Sequence, residues 1–315
     1  MCFINLSFPT IFKLAAARDE KVFKLWEGLG YYNRCKNLLF TARQIVKERK
    51  GKFPQTYEEL LLLKGVGPYT AAAIASFAYN LPYAVVDGNV FRVFSRFYGI
   101  ATPIDTPKGS ILFNKIANEN LSQTQAGVYN QALMDFGATI CKPLAPLCIS
   151  CPLQKKCKAF TQQQVSLLPV KLKTIQKKNR YFDFIIFQYQ KTYFIQKRVL
   201  TDIWSNLYQF YLIENQKRSK INNADLKKHI HSLLNFDTSS IEKVKVSSIF
   251  KQTLTHQQIE ARFILVVVKN KPTFTSQGLW VKKEGFTKYP FPKIVNDFLK
   301  IAFHKRNGFF LFKKS

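Results

Sequence analysis

The chain has 315 residues, 47% of them hydrophobic, six cysteines, and a formal charge of +29 from 48 Lys and Arg against 19 Asp and Glu. At roughly 150 residues per domain two domains are expected. The apolar fraction excludes global disorder, and no run approaches the roughly 18–20 apolar residues of a membrane-spanning helix, so no membrane association is expected. The charge favours a polyanionic partner. A basic protein from a compositionally biased genome is the alternative, because lysines outnumber arginines 37 to 11.

Residues 1–17 end in three alanines but lack a basic start and are broken by Pro9 and Lys13, which argues against a secretory signal. Up to about residue 160 the pattern is helical. Apolar residues at 3–4 spacing predict helices over 19–26 and 36–50. Thr56 followed by Glu59 is a capping box ahead of 60–63. Gly65-Val66-Gly67-Pro68 forms a tight turn, with Pro68 suited to open a small-residue helix over 69–79. Further helices are predicted over 90–98, 108–119 and 124–140. Residues 161–180, polar and basic around Pro169, read as a linker. Beyond Tyr181 the pattern turns to strands, with Phe182, Phe184, Ile186, Tyr193 and Ile195 and then 259–268, plus a helix over 223–234. This predicts an α+β second domain over 181–315, after a helical domain over 1–160. There is no internal repeat.

Cys141-x6-Cys148-x2-Cys151-x5-Cys157 places four thiols within 17 residues, a set that suits one inorganic centre in a reducing compartment. A 4Fe–4S cluster is favoured, with zinc as the alternative, because a zinc knuckle more often carries two CxxC pairs and only one is present. Cys2 and Cys35 stand outside the set. The glycines of Leu63-Lys64-Gly65-Val66-Gly67-Pro68-Tyr69-Thr70 let backbone N–H groups approach a phosphate, and the following helix adds its N-terminal dipole. Gly65, Val66 and Gly67 thus read as a helix–hairpin–helix (about 56–79) that grips a DNA backbone without reading sequence. About twenty residues on, an apolar segment delivers Asp87 in Val85-Val86-Asp87-Gly88-Asn89. An ordinary helix N-cap is the plain reading for such an aspartate, and a catalytic carboxylate is the other.

These three features, in this order, resemble the helix–hairpin–helix DNA glycosylase superfamily with a cluster loop, and within it the adenine DNA glycosylases of the MutY type. Leu25-Trp26-Glu27-Gly28-Leu29-Gly30-Tyr31-Tyr32 and Met134-Asp135-Phe136-Gly137-Ala138 also match. The resemblance implies a multidomain α and α+β architecture: an all-helical glycosylase domain with an iron–sulfur cluster loop (141–157), then a Nudix-like domain. It implies base-excision repair of adenine mispaired with 8-oxoguanine or guanine, by base flipping and hydrolysis of the N-glycosidic bond. Asp87 matches the carboxylate that stabilises the oxocarbenium-like sugar, electrostatically or through a covalent intermediate. Tyr69 and Asn89 match positions near the flipped base and water, and Tyr31 matches the residue that wedges into the base stack. Tyr69 stands where lyases of the endonuclease III type carry a nucleophilic lysine, so a monofunctional glycosylase is expected. Thr255 and His256, in Leu254-Thr255-His256, resemble the loop that reads 8-oxoguanine, a plain surface turn being the alternative. No Glu cluster follows Gly278, so Nudix hydrolysis is not expected. The implied partner is double-stranded DNA containing A:8-oxoguanine mispairs, bound by a monomer in the bacterial cytoplasm at the nucleoid.

Residues 3–18 resemble the segment just after the family's first substrate-handling helices. The family's general-acid glutamate lies upstream of that segment and is absent from this chain, and Glu20 and Glu27 are poor substitutes. The expectation is an N-terminally truncated chain, from a start called too late or a shortened gene, with little excision activity. A lesion-binding protein without chemistry is the alternative. An endonuclease III-type lyase is more distant.

Overall fold

The computed structural model describes residues 2–173, 176–199, 201–218, 226, 228, 230–231, 238–272, 274, 278–304 and 312–313. The chain forms two compact units, one from Met1–Arg43 with Ile175–Ser315 and the other from Gln44–Thr174. The division does not fall at the predicted linker alone. It also passes through the helix Tyr32–Arg49.

The Gln44–Thr174 unit is helical. After α1 (Cys2–Ser7), α2 (Ile11–Ala15), α3 (Asp19–Trp26) and α4 (Tyr32–Arg49) come α5 (Tyr57–Leu61), α6 (Pro68–Tyr79), α7 (Gly88–Tyr98), α8 (Pro107–Glu119), α9 (Ala126–Thr139) and α10 (Lys158–Thr161). Local chemistry sets their ends. The Thr56 hydroxyl caps α5 by accepting the Glu59 N–H at 3.3 Å, while the Glu59 carboxylate turns to Arg49 at 2.8 Å. Pro68 opens α6 as expected, and α7 ends at Gly99 in the left-handed region, φ 66°. Val90, Phe94, Phe113 and Ala117 form a buried cluster between α7 and α8. Part of the predicted linker is docked to this unit: the N–H groups of Leu172 and Lys173 donate to the Asp105 carboxylate, and Ile104 N–H donates to Val170 O at 3.0 Å. Two consecutive donors hold a polar segment that its composition suggests is loose.

The other unit is built on a nine-stranded mixed sheet whose centre is the parallel pair β1 (Lys178–Tyr189) and β7 (Gln257–Val268). β4 (Tyr211–Asn215), β2 (Thr192–Lys197), β5 (Ile241–Ser247) and β6 (Phe250–Thr253) pair antiparallel with these two. Flanking strands are β3 (Tyr208–Gln209), β8 (Gly278–Lys282) and β9 (Phe312–Lys313). β1 is buried on both faces, so its apolar residues run on instead of alternating with polar ones. Phe182, Phe184 and Ile186 enter one cluster, with Phe263, and with Phe298 of α11 (Lys293–His304). Ile185 and Phe187 enter the other, with Leu226 and Ile230. Val22, Phe23, Cys35, Leu39 and Ala42 belong to the first cluster, which is why α3 and much of α4 group with the sheet. Of the helix predicted over 223–234, Leu226, Lys228, Ile230 and His231 are helical, and the rest lies outside the described residues.

Candidate active site

Asp87 is the N-cap of α7. Its Oδ1 accepts the backbone N–H groups of Asn89 (2.8 Å) and Val90 (2.9 Å), and its Oδ2 accepts Asn89 Nδ2 at 2.9 Å. The plain N-cap reading therefore describes this residue correctly. It does not exhaust it. The three donors are neutral, the residue is half-buried, and among the described residues no Lys or Arg forms an ion pair with it. The carboxylate is held without a direct ion pair, the Arg92 guanidinium acting on it through the Asn89 amide, and an anion oriented in this way suits a cation that develops beside it.

Asn89 is fixed in turn. Its Oδ1 accepts Arg92 Nη2 at 2.8 Å. The buried Arg92 guanidinium also donates to the carbonyls of Gly88, Gly137 and Cys141, at 3.2, 2.7 and 2.7 Å. Gly137 explains its own motif, because a Cβ there would lie 2.7 Å from the Asn89 Cβ and push α9 off α7. Sequence reasoning missed Arg92 and Arg96. The available signal was two arginines four apart within an otherwise apolar helix.

In the hairpin, Gly65 adopts φ +80° and the Val66 N–H donates to Leu63 O at 3.1 Å. Gly65 and Gly67 are exposed, and nothing stands within 4 Å of a Cβ at Gly67, so a phosphate has room to approach the backbone. Tyr69 is 45% exposed on the first turn of α6.

Cys141, Cys148, Cys151 and Cys157 form no disulfide, and all four line one cavity walled by Val93, Phe97 and Phe136. Arg96 ties this loop together. Its guanidinium donates to Cys141 Sγ (3.5 Å) and to the carbonyls of Lys142, Pro143 and Leu168 (2.7, 3.1 and 3.0 Å). Burial pushes the Cys148 thiol above its ordinary range, and the neighbouring Cys141 and Cys157 add to the effect. Among the described residues no three His, Cys, Asp or Glu side chains converge on a single-ion position. The thiols share a cavity rather than a point. A soft, all-thiol donor set in an apolar-walled cavity fits a cysteine-ligated centre.

Three predicted residues lie in the sheet-containing unit. Tyr31 has φ 48° and follows Gly28 and Gly30, both at positive φ, in a turn closed by Trp26 Nε1 donating to Gly30 O at 2.9 Å. The turn leaves Tyr31 68% exposed, with the Arg34 guanidinium 4.8 Å from the ring centre. Thr255 and His256 are exposed at the turn between β6 and β7, where Leu254 N–H donates to Gln257 O at 2.8 Å. Glu20 and Glu27 are committed elsewhere: Glu20 pairs with Lys197 at 3.0 Å, which holds its carboxyl below the usual range, and Glu27 accepts from Lys24 and from the Phe291 N–H.

Residues 2–116 match the family described as HhH-GPD superfamily base excision DNA repair protein, and residues 184–300 match the NUDIX domain. The adenine DNA glycosylase of Buchnera aphidicola subsp. Acyrthosiphon pisum (strain APS) is 33% identical over 270 residues, covering 81% of this chain and 76% of the relative. That of Buchnera aphidicola subsp. Baizongia pistaciae (strain Bp) is 31% identical over 273 residues, covering 86% and 74%. The Homo sapiens adenine DNA glycosylase is 46% identical over 154 residues, 48% of this chain and 28% of the relative. A helical hairpin unit that presents a capped aspartate, a Nudix sheet and this level of identity lead to one conclusion: the chain belongs to the adenine DNA glycosylases, enzymes of base-excision DNA repair.

Proposed function

We propose that the chain acts on adenine mispaired with 8-oxoguanine in duplex DNA and excises it slowly, because Glu20 and Glu27 are committed elsewhere and no described carboxylate takes the part of the family's general acid. The observation that supports this best is the Asp87 carboxylate, held by three neutral donors and, among the described residues, in no direct ion pair. In this reading the Gly65-Val66-Gly67 hairpin binds a phosphate through the N–H groups of Gly65 and Gly67, the Val66 N–H being held by Leu63 O and bracing the turn, and Tyr31 fills the gap in the stack left by the flipped adenine. As the N-glycosidic bond lengthens, positive charge grows on the sugar and Asp87 stabilises it. The C–N bond breaks with its electron pair going to adenine, water oxygen bonds to the sugar carbon, and one water proton ends on the adenine nitrogen, giving the hydroxylated abasic sugar and neutral adenine. Tyr69 and Asn89 line the space for the base and the water. Tyr69 offers no amine for a Schiff base, so the abasic product keeps its strand intact. Thr255 and His256 supply a hydroxyl and an imidazole for the groups that 8-oxoguanine has and guanine lacks.

Cys141, Cys148, Cys151 and Cys157 would hold a 4Fe–4S cluster. When bound, such a group supplies a rigid cross-link for loop 141–157, which carries Lys142, Lys155 and Lys156 for phosphate contact. Purified protein is expected to contain iron and to absorb broadly near about 400 nm. One tightly held zinc and no iron would overturn this assignment.

The lesion preference is tested by binding. Duplexes carrying a non-cleavable 2′-fluoro-adenosine opposite 8-oxoguanine, guanine or thymine are expected to bind in that order of decreasing affinity. Thr255→Ala with His256→Ala is expected to narrow the gap between 8-oxoguanine and guanine. Equal affinity for all three duplexes would overturn the reading.

A further inference from the structure

Asp87 is delivered by an extended segment that pairs with no strand, so that segment's backbone groups need other partners. One side chain supplies two of them. Asn130, on α9, is 1% exposed. Its Oδ1 accepts the Val85 N–H at 3.2 Å, and its Nδ2 donates to Tyr83 O at 2.9 Å. A neighbouring strand would offer the same donor and acceptor, so the Asn130 amide takes the place of the missing strand. Val85 is 1% exposed, and the Tyr83 ring is stacked on Tyr57 at 4.4 Å. The segment therefore has little freedom on either side of the amide.

The same helix fixes the other end of the aspartate. Seven residues beyond Asn130, Gly137 lies against Asn89, which donates to Asp87. The start of α9 is itself anchored on α6. Asn80 Nδ2 donates to Thr124 O at 2.8 Å, and Asn80 Oδ1 accepts the Gly127 N–H at 3.2 Å. A Cβ at Gly127 would lie 2.6 Å from Ser76 O, so the two helices are in backbone contact.

We infer that Asn130 is a positioning residue for Asp87. It holds the Tyr83–Val85 backbone so that the carboxylate meets the developing positive charge, while Gly137 limits its movement from the other side. This rests on the reading of Asp87 given above. Electrostatic stabilisation depends on preorganised distance, so a small displacement of the segment reduces it without altering the DNA-gripping hairpin.

The test is binding of the full chain to two duplexes, each with 8-oxoguanine opposite a sugar analogue. One analogue is a cationic pyrrolidine, the other a neutral tetrahydrofuran. The wild-type chain is expected to prefer the cation by about a hundredfold, as transition-state mimics are preferred. Asp87→Asn should reduce the ratio to near unity. Asn130→Ala, and Asn130→Asp, which keeps the size and the acceptor but loses the donor, should each lower it by about tenfold, with tetrahydrofuran affinity within about twofold of wild type. If Asp87→Asn abolishes the preference while both folded Asn130 variants keep it, the inference is overturned. An equal loss of affinity for both duplexes in the Asn130 variants also overturns it, because that marks general destabilisation. If Asp87→Asn keeps the preference, or the wild type has none, the reading of Asp87 fails, and Asn130 has nothing to position.

Discussion

Two aspartates in this protein show how the same side chain serves different ends. Asp183, in β1 of the sheet unit, is 6% exposed and saturated by charge. Arg262 donates to both its oxygens at 2.8 and 2.9 Å, Arg218 donates at 2.9 Å and Asn215 at 2.7 Å. Asp87, in the helical unit, is held by three donors that carry no charge. The first carboxylate is neutralised and serves the fold. The second is oriented without a direct ion pair, Arg92 reaching it only through the Asn89 amide. Hydrogen bonding and direct ion pairing are separable, and the catalytic role proposed for Asp87 depends on that difference.

The largest expected effect breaks the Asp183 side of this comparison. Asp183→Ala leaves the buried Arg262 without its bidentate carboxylate, and removing one partner of a buried pair costs about 3–5 kcal/mol, while Arg218 keeps Glu260 at 3.7 Å. A lowered thermal transition with unchanged adenine release per folded molecule is the expected outcome. A variant as stable as wild type would show that the network is not structural. Next, Cys148→Ser is expected to lower iron per chain, folding yield and DNA affinity more than the release rate on bound DNA. Iron assay and single-turnover kinetics on saturated duplex separate these.

A smaller effect concerns a third carboxylate. Burial pushes Asp202 up, but hydrogen bonds from Arg180, the Ile203 N–H and Arg198 outweigh it and bring the group down to about 2. Its folded value lies below its unfolded value of about 4. The stabilisation is therefore complete above that pH and is lost as pH falls toward about 2. Melting temperatures between these limits should fall less steeply in Asp202→Asn than in wild type. The smallest effect on stability is expected for Asp87→Asn, about 1 kcal/mol, because Asn caps a helix as well as Asp does but its amide nitrogen cannot accept from Asn89 Nδ2.

The two aspartates also mark what was legible in the sequence. Asp87 finds its partners two and three residues away, so its cap could be read from the order of residues. Asp183 finds its partners 32 to 79 residues away, and nothing in Tyr181–Phe187 announces them. The helices of the hairpin unit were legible for the same reason as Asp87: Thr56 and Pro68 act locally. The grouping of α3 with the sheet was not legible, because the apolar stripe of Val22 and Phe23 says that a helix is buried but not against what. Arg92 and Asn130 were hidden in the same way, their partners being backbone carbonyls and N–H groups about 45 residues away that no side-chain pattern reports.

The measurement that bears most directly on the central claim is single-turnover adenine release from an A:8-oxoguanine duplex by the wild-type chain and by Asp87→Asn. Slow release by the wild type, with intact strands and still about 10²–10³ times faster than the variant, is the expected result, since one preorganised electrostatic group contributes that much. Equal rates would contradict a catalytic Asp87. Strand nicking through a trapped Schiff base would contradict hydrolysis. No release by either chain, with tight lesion binding retained in both, would make this protein a binder without chemistry.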